Sequence, residues 1–515
     1  MFATFIFPFA LVGLLFWILK TGSRAKCLPP GPPTLPVVGN LHQIPKKGSY
    51  LKFTEWVKQY GGLYSLKLGT ATAVVITDRR IIKEVVDKRS AKYSNRPPSY
   101  IAQDLITSGD HLLIMQYGPQ WESMVEKYHI EVQNAEAVQM LRDMCEQPDQ
   151  HQRHLQRFSN SIIMSLVYGF RTPSVDTPHM ADMFDVMEGW SQLLELGATP
   201  PVDVYPLFHY IPQKLLGNWI SRAQGVGAQM NGVHASALDR VRRRRELKGG
   251  GESLMDTLLD QGEKSGLNDH QLYFVGGVLT EGGSDTTSTL TIAFIHAMVK
   301  SAHVLQKAQN EIDSVVGEDR TPVWSDYARL PYVATIVKET QRWRPVAPLG
   351  FPHTTTEDDW IDGYFIPKDT TVIINIWGLH HDEKHFPNPD TFDPDHFKGQ
   401  TALAPELAAA ADYENRDHYG YGAGRRLCPG IHLAERNLFL AIAKLIWAFS
   451  IKPSLKEDGQ PVEYDFSPAT GYSEGFLVCA KDFPCEIKVR SEARRATIMK
   501  EFEMAERDVF SRFDV

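Results

Sequence analysis

The chain has 515 residues, 43% of them hydrophobic, with a formal net charge of −8 and five cysteines. That apolar share is enough for a large core, and the acidic balance argues against nucleic-acid binding. The cysteines, Cys27, Cys145, Cys428, Cys479 and Cys485, are odd in number and scattered. They suit neither a disulfide framework nor a zinc site and fit a reducing compartment.

Residues 2–19 are nearly all apolar, interrupted by Thr4, Pro8 and Gly13, and Lys20, Arg24 and Lys26 come next. A cleaved signal would carry positive charge before the apolar run and a small-residue site after it. Charge placed after the run predicts a cytosolic flank and a retained anchor over residues 1–20. The run is at the short end of a spanning helix, about 17–25 residues. Leu28-Pro29-Pro30-Gly31-Pro32-Pro33 cannot be helical and lies in a basic, proline-rich hinge over residues 21–45. No low-complexity linker or internal repeat divides the chain beyond this hinge. A single domain is therefore expected over 46–490, with a charged tail over 491–515.

Helix is expected over 51–60, a hairpin over 63–68 and 73–77 around Gly69, and helix again over 79–89. Helices then dominate, at 158–169, 180–196, 214–245, 269–300, 305–316, 332–343 and 431–449. The pattern returns to β at 475–480 and 486–489. The fold class is mainly α with small β-sheets. Five of the six residues 240–245 are arginine. They read as a solvated helix end with cations favoured by the dipole, without the aromatic interleaving of a nucleic-acid surface. Residues 491–510 fit a further charged amphipathic helix, to which no role is assigned.

Three patterns carry chemistry. Gly282-Gly283-Ser284-Asp285-Thr286-Thr287 interrupts the long helix 269–300, and each glycine costs about 1 kcal/mol against alanine. Gly282 and Gly283 can open a groove for dioxygen, Thr286 can hydrogen-bond it, and Asp285 can relay protons from water. A close helix crossing would explain the glycines alone. Glu339 and Arg342 are spaced for an ion pair. Trp343 and apolar neighbours suggest that the pair is buried, where it needs further partners.

The third pattern is Tyr421-Gly422-Ala423-Gly424-Arg425-Arg426-Leu427-Cys428-Pro429-Gly430. Its glycines let the backbone turn tightly against a cofactor face, and its arginines can neutralise acidic groups on that cofactor. Cys428 precedes the apolar helix 431–449, where the dipole is expected to lower its pKa and favour thiolate. A thiolate on haem iron pushes electron density toward bound oxygen. An ordinary buried cysteine explains neither the glycines nor the arginines.

This decapeptide resembles the cysteine-ligand loop of the cytochrome P-450 family, F-x-x-G-x-R-x-C-x-G, with Tyr421 in place of phenylalanine. The string from Gly282 to Thr287 resembles that family's oxygen-activation motif, [AG]-G-x-[DE]-T-[TS]. The resemblance covers nearly the whole chain, with four motifs in family order. It implies a triangular helical prism preceded by one transmembrane helix, and haem b with Cys428 on the iron. Gly282, Gly283 and Gly430 would border the haem, and Arg426, His353 and Trp121 would reach its propionates. In the family a later arginine completes the Glu339–Arg342 pair. Here Pro394-Asp395-His396-Phe397 offers His396, and the trio is expected to hold the Cys428 loop.

The family pattern W-x-x-x-R is broken here, because Trp121 is succeeded by Glu122-Ser123-Met124-Val125. The stretch from Trp121 to residue 158 is also several turns short of the pattern, which predicts weak haem retention and weak turnover. The resemblance further implies O2, an apolar small-molecule substrate and an NADPH-dependent flavoprotein reductase. It implies an endoplasmic-reticulum membrane location with the catalytic domain cytosolic and the anchor in lipid. Pro200-Pro201-Val202-Asp203 and Gly471-Tyr472-Ser473-Glu474-Gly475 resemble fungal members of secondary metabolism. The substrate pocket is expected from 101–115, 193–206, the helix near Gly282, 346–351 and 471–476. The alternative is a haem-binding membrane protein without catalysis. A transporter or receptor would need more than one spanning segment.

Overall fold

The computed structural model describes residues 13, 19–115 and 130–513. Helix α1 (Ser49–Tyr60) leads into β1 (Leu63–Leu68) and β2 (Ala71–Ile76), an antiparallel hairpin pairing Leu63 with Ile76. Gly69 turns the hairpin with φ +61°, a conformation open to glycine. A continuous helix comes next, α-helical over Arg79–Ile82 and more widely wound over Lys83–Lys88, as expected for this stretch. The helical body comprises α2 (Ile130–Glu146), α3 (His151–Tyr168), α4 (Pro178–Leu194), α5 (Trp219–Lys248), α6 (Leu254–Gln261), α7 (Asp269–Lys300), α8 (Ala302–Val315) and α9 (Pro331–Trp343). Then come β3 (His353–Thr354), β4 (Asp359–Ile361), β5 (Tyr364–Ile366), β6 (Thr371–Ile374), α10 (Ile376–His380) and α11 (Ala404–Ala409). The chain closes with α12 (Ile431–Ala448), β7 (Phe449–Pro453), β8 (Cys485–Val489) and α13 (Glu492–Asp508).

The main sheet has the order β1-β2-β6-β3, with β6 parallel to β2 and antiparallel to β3. Two small antiparallel pairs, β4–β5 and β7–β8, complete the strands among the described residues. The largest core cluster lies among α2, α3, α7, α8, α9 and α12. Helix α12 is buried on nearly all sides from Asn437 onward, which is why that part of its sequence is apolar except for Asn437 and Lys444 and is not striped. A reciprocal cap between Asn268 and Gln271 starts α7, and the helix runs unbroken through its glycines.

Three expectations change in the structure. Helix α2 was not expected, because buried polar residues spoil its apolar stripe. Glu136 is fully enclosed and binds Arg157 and Arg171 at 2.6 Å each and Ser161 at 2.8 Å. Burial alone would raise its pKa, but the two arginines outweigh that and hold the carboxyl below its ordinary value. The strand at 475–480 is a loop instead, whose Phe476 and Leu477 N–H groups donate to Ser191 on α4. The arginine run is not simply solvated. Arg242 binds Asp269 at 2.5 Å, Arg245 binds Asp256 at 3.0 Å, and Arg244 donates to the Tyr168 carbonyl at 2.7 Å. These contacts tie α5 to α3, α6 and α7.

The expected anchor over residues 1–20 lies almost wholly outside the described residues. Among those described, no single helix is long and apolar enough to cross a membrane. The charged tail does form a helix, α13, which packs on α2. Arg142 of α2 stacks over Phe502 at 4.2 Å, and Arg171 stacks over Phe510 at 3.2 Å. Arg490 and Arg494 converge on Asp313 of α8. Phe510 is buried beside Ala135 and Ala505. Phe510→Ala should therefore lower the unfolding free energy by about 3 kcal/mol, measured by urea denaturation, because it empties a packed site.

Candidate active site

Cys428 ends a loop held from both sides. Its N–H donates to the Tyr421 carbonyl at 2.9 Å. Gly424 has φ +65°, and a Cβ there would come within 2.2 Å of the Val86 carbonyl, while its N–H donates to Asp87 at 2.8 Å. The loop is thereby pressed onto the turns at Lys83–Lys88. Gly430 comes so soon after the sulfur that an added Cβ would sit 3.8 Å from it. Cys428 is enclosed by protein, yet a minor part of its own surface stays uncovered, so it borders interior space. Burial pushes its thiol up to about 11, against a weaker downward pull from the Gly430 N–H. This corrects the expectation that the helix N-terminus lowers its pKa, because desolvation of a thiolate outweighs the dipole. A coordinated metal cation would deprotonate this sulfur.

Beside this loop three basic side chains converge: Arg96, His353 and Arg426, all buried. Arg426 donates to the carbonyls of Ser94 at 3.0 Å and Met115 at 2.8 Å. Arg96 donates to Leu113 at 2.9 Å, Phe351 at 2.9 Å and Pro352 at 2.8 Å. The His353 Nδ1–H donates to the Tyr93 carbonyl at 2.8 Å. Burial and the Arg426 charge pull Arg96 down to about 9, and burial with Arg96 pulls His353 to about 3. Two buried guanidiniums that repel one another, beside a neutral imidazole, suit an anion, and the two propionates of a haem supply it. His353 and Arg426 were expected here, but Arg96 was missed. Its one signal was an arginine before two prolines, Arg96-Pro97-Pro98, which stiffen the chain around it. Trp121 lies outside the described residues, as does Glu122-Ser123-Met124-Val125, whereas the shortened stretch is described from Ile130 onward.

On α7 the two glycines part company. Around Gly282 no heavy atom of the described residues lies within 4 Å of an added Cβ, and the residue is exposed although deep in a core helix. At Gly283 a Cβ would come within 2.7 Å of Ile163 on α3. Gly283 is therefore a helix-crossing residue, and Gly282 alone opens the groove. The Thr286 hydroxyl donates to the Gly282 carbonyl at 2.7 Å, which bends hydrogen bonding toward the opening. Asp285 is enclosed but incompletely covered, and burial raises its carboxyl to about 6.

Glu339 and Arg342 are both fully buried. They form a fork-on-fork pair, 2.7 Å from Nε to Oε2 and 2.7 Å from Nη2 to Oε1. Arg342 also donates to the carbonyls of His380, Pro389 and Thr391. Glu339 accepts from the Asp393 N–H at 2.8 Å and meets His396 Nδ1 at 3.2 Å. The trio of Glu339, Arg342 and His396 is thus brought together. Burial lowers the His396 pKa, but the hydrogen bond and charge of Glu339 outweigh it and the net shift is upward.

A cavity of about 180 Å³ opens nearby. Ala102 and Ile114, Leu194 and Glu195, Leu349 and Phe351, and Gly475 and Phe476 line it. Four of the five expected pocket segments meet there, and the helix near Gly282 is not among its walls. Arg96 also lines it, which joins the cavity to the basic cradle.

An open-sided thiol, a cationic cradle and an internal helical groove suit an iron porphyrin held by cysteine, and these features define a haem-thiolate protein. Comparison with known proteins agrees. The cytochrome P-450 family model matches residues 29–470. A cytochrome P-450 monooxygenase of Arthrobotrys oligospora is 52% identical, covering 98% of this chain and 96% of its own length. The cytochrome P-450 monooxygenase yanC of Aspergillus niger is 50% identical, covering 98% of each chain. The monooxygenase macC of Penicillium terrestre is 51% identical over 96% of each. The chain belongs to the cytochrome P-450 family. It is a haem b monooxygenase.

This geometry makes two sets of outcomes measurable. Arg96→Leu should lose haem faster than the parent, and Cys428→Ala should lose the thiolate-type Soret band of the reduced carbon monoxide complex. Both are read from absorption spectra during dialysis. The second set concerns His396, whose raised pKa makes its contribution complete below the unfolded value, near about 6.5. That contribution is lost as pH rises through the folded value. Melting temperature should therefore fall between about pH 6 and 9 in the parent, and fall less in His396→Arg. Glu339→Gln should cost about 3–5 kcal/mol, since it strands the buried Arg342 charge.

Proposed function

We propose that residues 1–20 hold this enzyme at the endoplasmic-reticulum membrane with its catalytic domain in the cytosol. An NADPH-dependent flavoprotein reductase supplies electrons, and one atom of O2 enters a small, largely apolar molecule of secondary metabolism. The observation that carries the reaction type is the pair of openings inside the core, at Cys428 and at Gly282–Thr286. The fungal monooxygenases at about half identity support the lineage. For the membrane, support comes from the basic residues after the apolar run. It also comes from Leu207, Tyr210 and Leu215, exposed by 75%, 85% and 76% on the turns between α4 and α5.

Each group has a defined task. Cys428 would hold the iron, and Arg96, His353 and Arg426 would hold the propionates. The bound haem supplies the oxygen-activating chemistry. Gly282 leaves room beside the backbone for a diatomic molecule. Thr286 keeps a hydroxyl at the edge of that room, and its proton is anchored on the Gly282 carbonyl until a better acceptor enters. Asp285, with a pKa near 6, both takes up and releases protons at neutral pH. Phe351 and Phe476, 4.3 Å apart between ring centroids, give the cavity an apolar wall that favours hydrocarbon over water.

Thr286→Ala should bind haem and substrate as the parent does but consume NADPH while releasing hydrogen peroxide. The ratio of product to NADPH should fall by about 10-fold or more, on the scale of a lost proton-transfer group. An unchanged ratio would remove Thr286 from proton delivery.

A further inference from the structure

One carboxylate stands in the wall of the largely apolar cavity. Of the described residues that line it, only Arg96 and Glu195 carry charge. Arg96 belongs to the propionate cradle, whereas Glu195 lies outside it. Glu195 is the residue just past the end of α4, 7% exposed, with the extended backbone that stops the helix (φ −60°, ψ 128°). From there its side chain reaches the start of α1. Oε1 accepts the Ser49 N–H at 3.2 Å and the Ser49 hydroxyl at 2.9 Å, and the Gly48 N–H draws on the carboxylate as well. Helix α1 has no capping side chain of its own, because Gly48 stands at its N-cap. Glu195 supplies the cap from another segment.

Capping alone does not require a carboxylate in a cavity wall, since a serine or asparagine at position 48 would supply the acceptor. A carboxylate has about four lone-pair sites, and the three donors of Gly48 and Ser49 leave room for another. Both Ser49 hydrogen bonds fall on Oε1, so the spare capacity lies toward Oε2. The surroundings place this charge at the cavity. Ser49, which the carboxylate holds, lines the same space, and so does Tyr50, whose phenol feels the Glu195 charge. Burial, with the nearby Glu474, pushes the Glu195 carboxyl up, the Ser49 and Gly48 donors pull it down, and the net shift is upward. Its present partners therefore do not fully offset its desolvation. Leu194, Leu349, Phe351 and Phe476 are apolar parts of the same wall.

We propose that Glu195 is the polar anchor of the substrate and sets its class: a small molecule with a neutral hydroxyl group on a hydrocarbon frame. The hydroxyl donates to Glu195 Oε2, and the frame lies on Leu194, Leu349, Phe351 and Phe476. Ser49 holds Oε1, so the carboxylate cannot swing away from the cavity. Arg96 lines the same cavity, and its charge disfavours a cationic amine there, which leaves the hydroxyl as the donor. This inference rests on the monooxygenase reading and narrows its substrate class. A methyl ether of the same frame cannot donate and leaves the carboxylate undersupplied.

The test uses the full-length haem-loaded enzyme and the Soret shift on ligand binding. The probes are cyclohexanol against methoxycyclohexane, and benzyl alcohol against benzyl methyl ether. The alcohols should bind about 10–100-fold more tightly than their ethers, the scale of one hydrogen bond to a charged group. Glu195→Gln keeps an oxygen for Ser49 but turns the other arm from acceptor into donor. It should erase the preference, because its amide N–H serves alcohol and ether oxygens alike, while the reduced carbon monoxide band stays as in the parent. A residue that only caps α1 would leave the preference untouched. Equal affinity for alcohol and ether in the parent, no shift with either alcohol, or a preference that survives in Glu195→Gln would overturn the proposal. If that variant does not fold, Glu195→Asp, shorter by one methylene, takes its place and must lose the preference too. Absence of the carbon monoxide band in the parent would instead sink the monooxygenase reading, so the two failures are distinguishable.

Discussion

A single buried guanidinium sets the geometry on which the site depends. All the N–H groups of Arg342 are used: two on Glu339 and three on the carbonyls of His380, Pro389 and Thr391. A charge buried at this depth is tolerated only when its partners are complete. The segments that carry those carbonyls therefore cannot drift from α9. From there the constraint passes to the cysteine loop. His380 Nε2 accepts the Tyr419 N–H at 2.8 Å, and the Tyr421 carbonyl accepts the Cys428 N–H at 2.9 Å. The sulfur is placed by a line of hydrogen bonds that begins on another helix.

The two charged centres of the interior obey opposite logic. Around Glu339 and Arg342 the charges are matched and closed, and the result is rigidity. Around Arg96, His353 and Arg426, two guanidiniums and an imidazole kept neutral by burial crowd together on backbone carbonyls. Two guanidiniums brought this close favour an anionic guest. The thiol is treated likewise: its enclosure disfavours the thiolate until a cation arrives. Cradle and ligand are each costly alone and complementary to one cofactor, so haem binding and stability are linked.

The glycines of α7 show how one string serves two purposes. Gly276, Gly277 and Gly283 admit Tyr168, His234 and Ile163 from neighbouring helices, whereas Gly282 admits none of the described residues. In sequence the four are alike. Only the directions in which their missing side chains would point separate packing from function.

Local chemistry made several features readable in the chain itself. The span of α7 is set by its polar start at Asn268 and its unbroken apolar run. The cysteine loop is marked by glycines and arginines at fixed spacing, and the Glu339–Arg342 pair by helical periodicity. Helix α2 was hidden because Gln133, Glu136 and Gln139 face inward, and burial of a polar residue depends on partners distant in sequence. Arg96 was hidden for the same reason, since its role exists only where Arg426 and His353 come to meet it. So was Glu195, whose carboxylate meets Ser49 only in the folded chain. The sequence by itself determined which residues could bind iron, carry protons and turn tightly, because those properties belong to the side chain and its near neighbours. Which charges are matched, which thiol is desolvated and which glycine faces open space were decided by the tertiary structure, because dielectric and contact are set by all the atoms that surround a group.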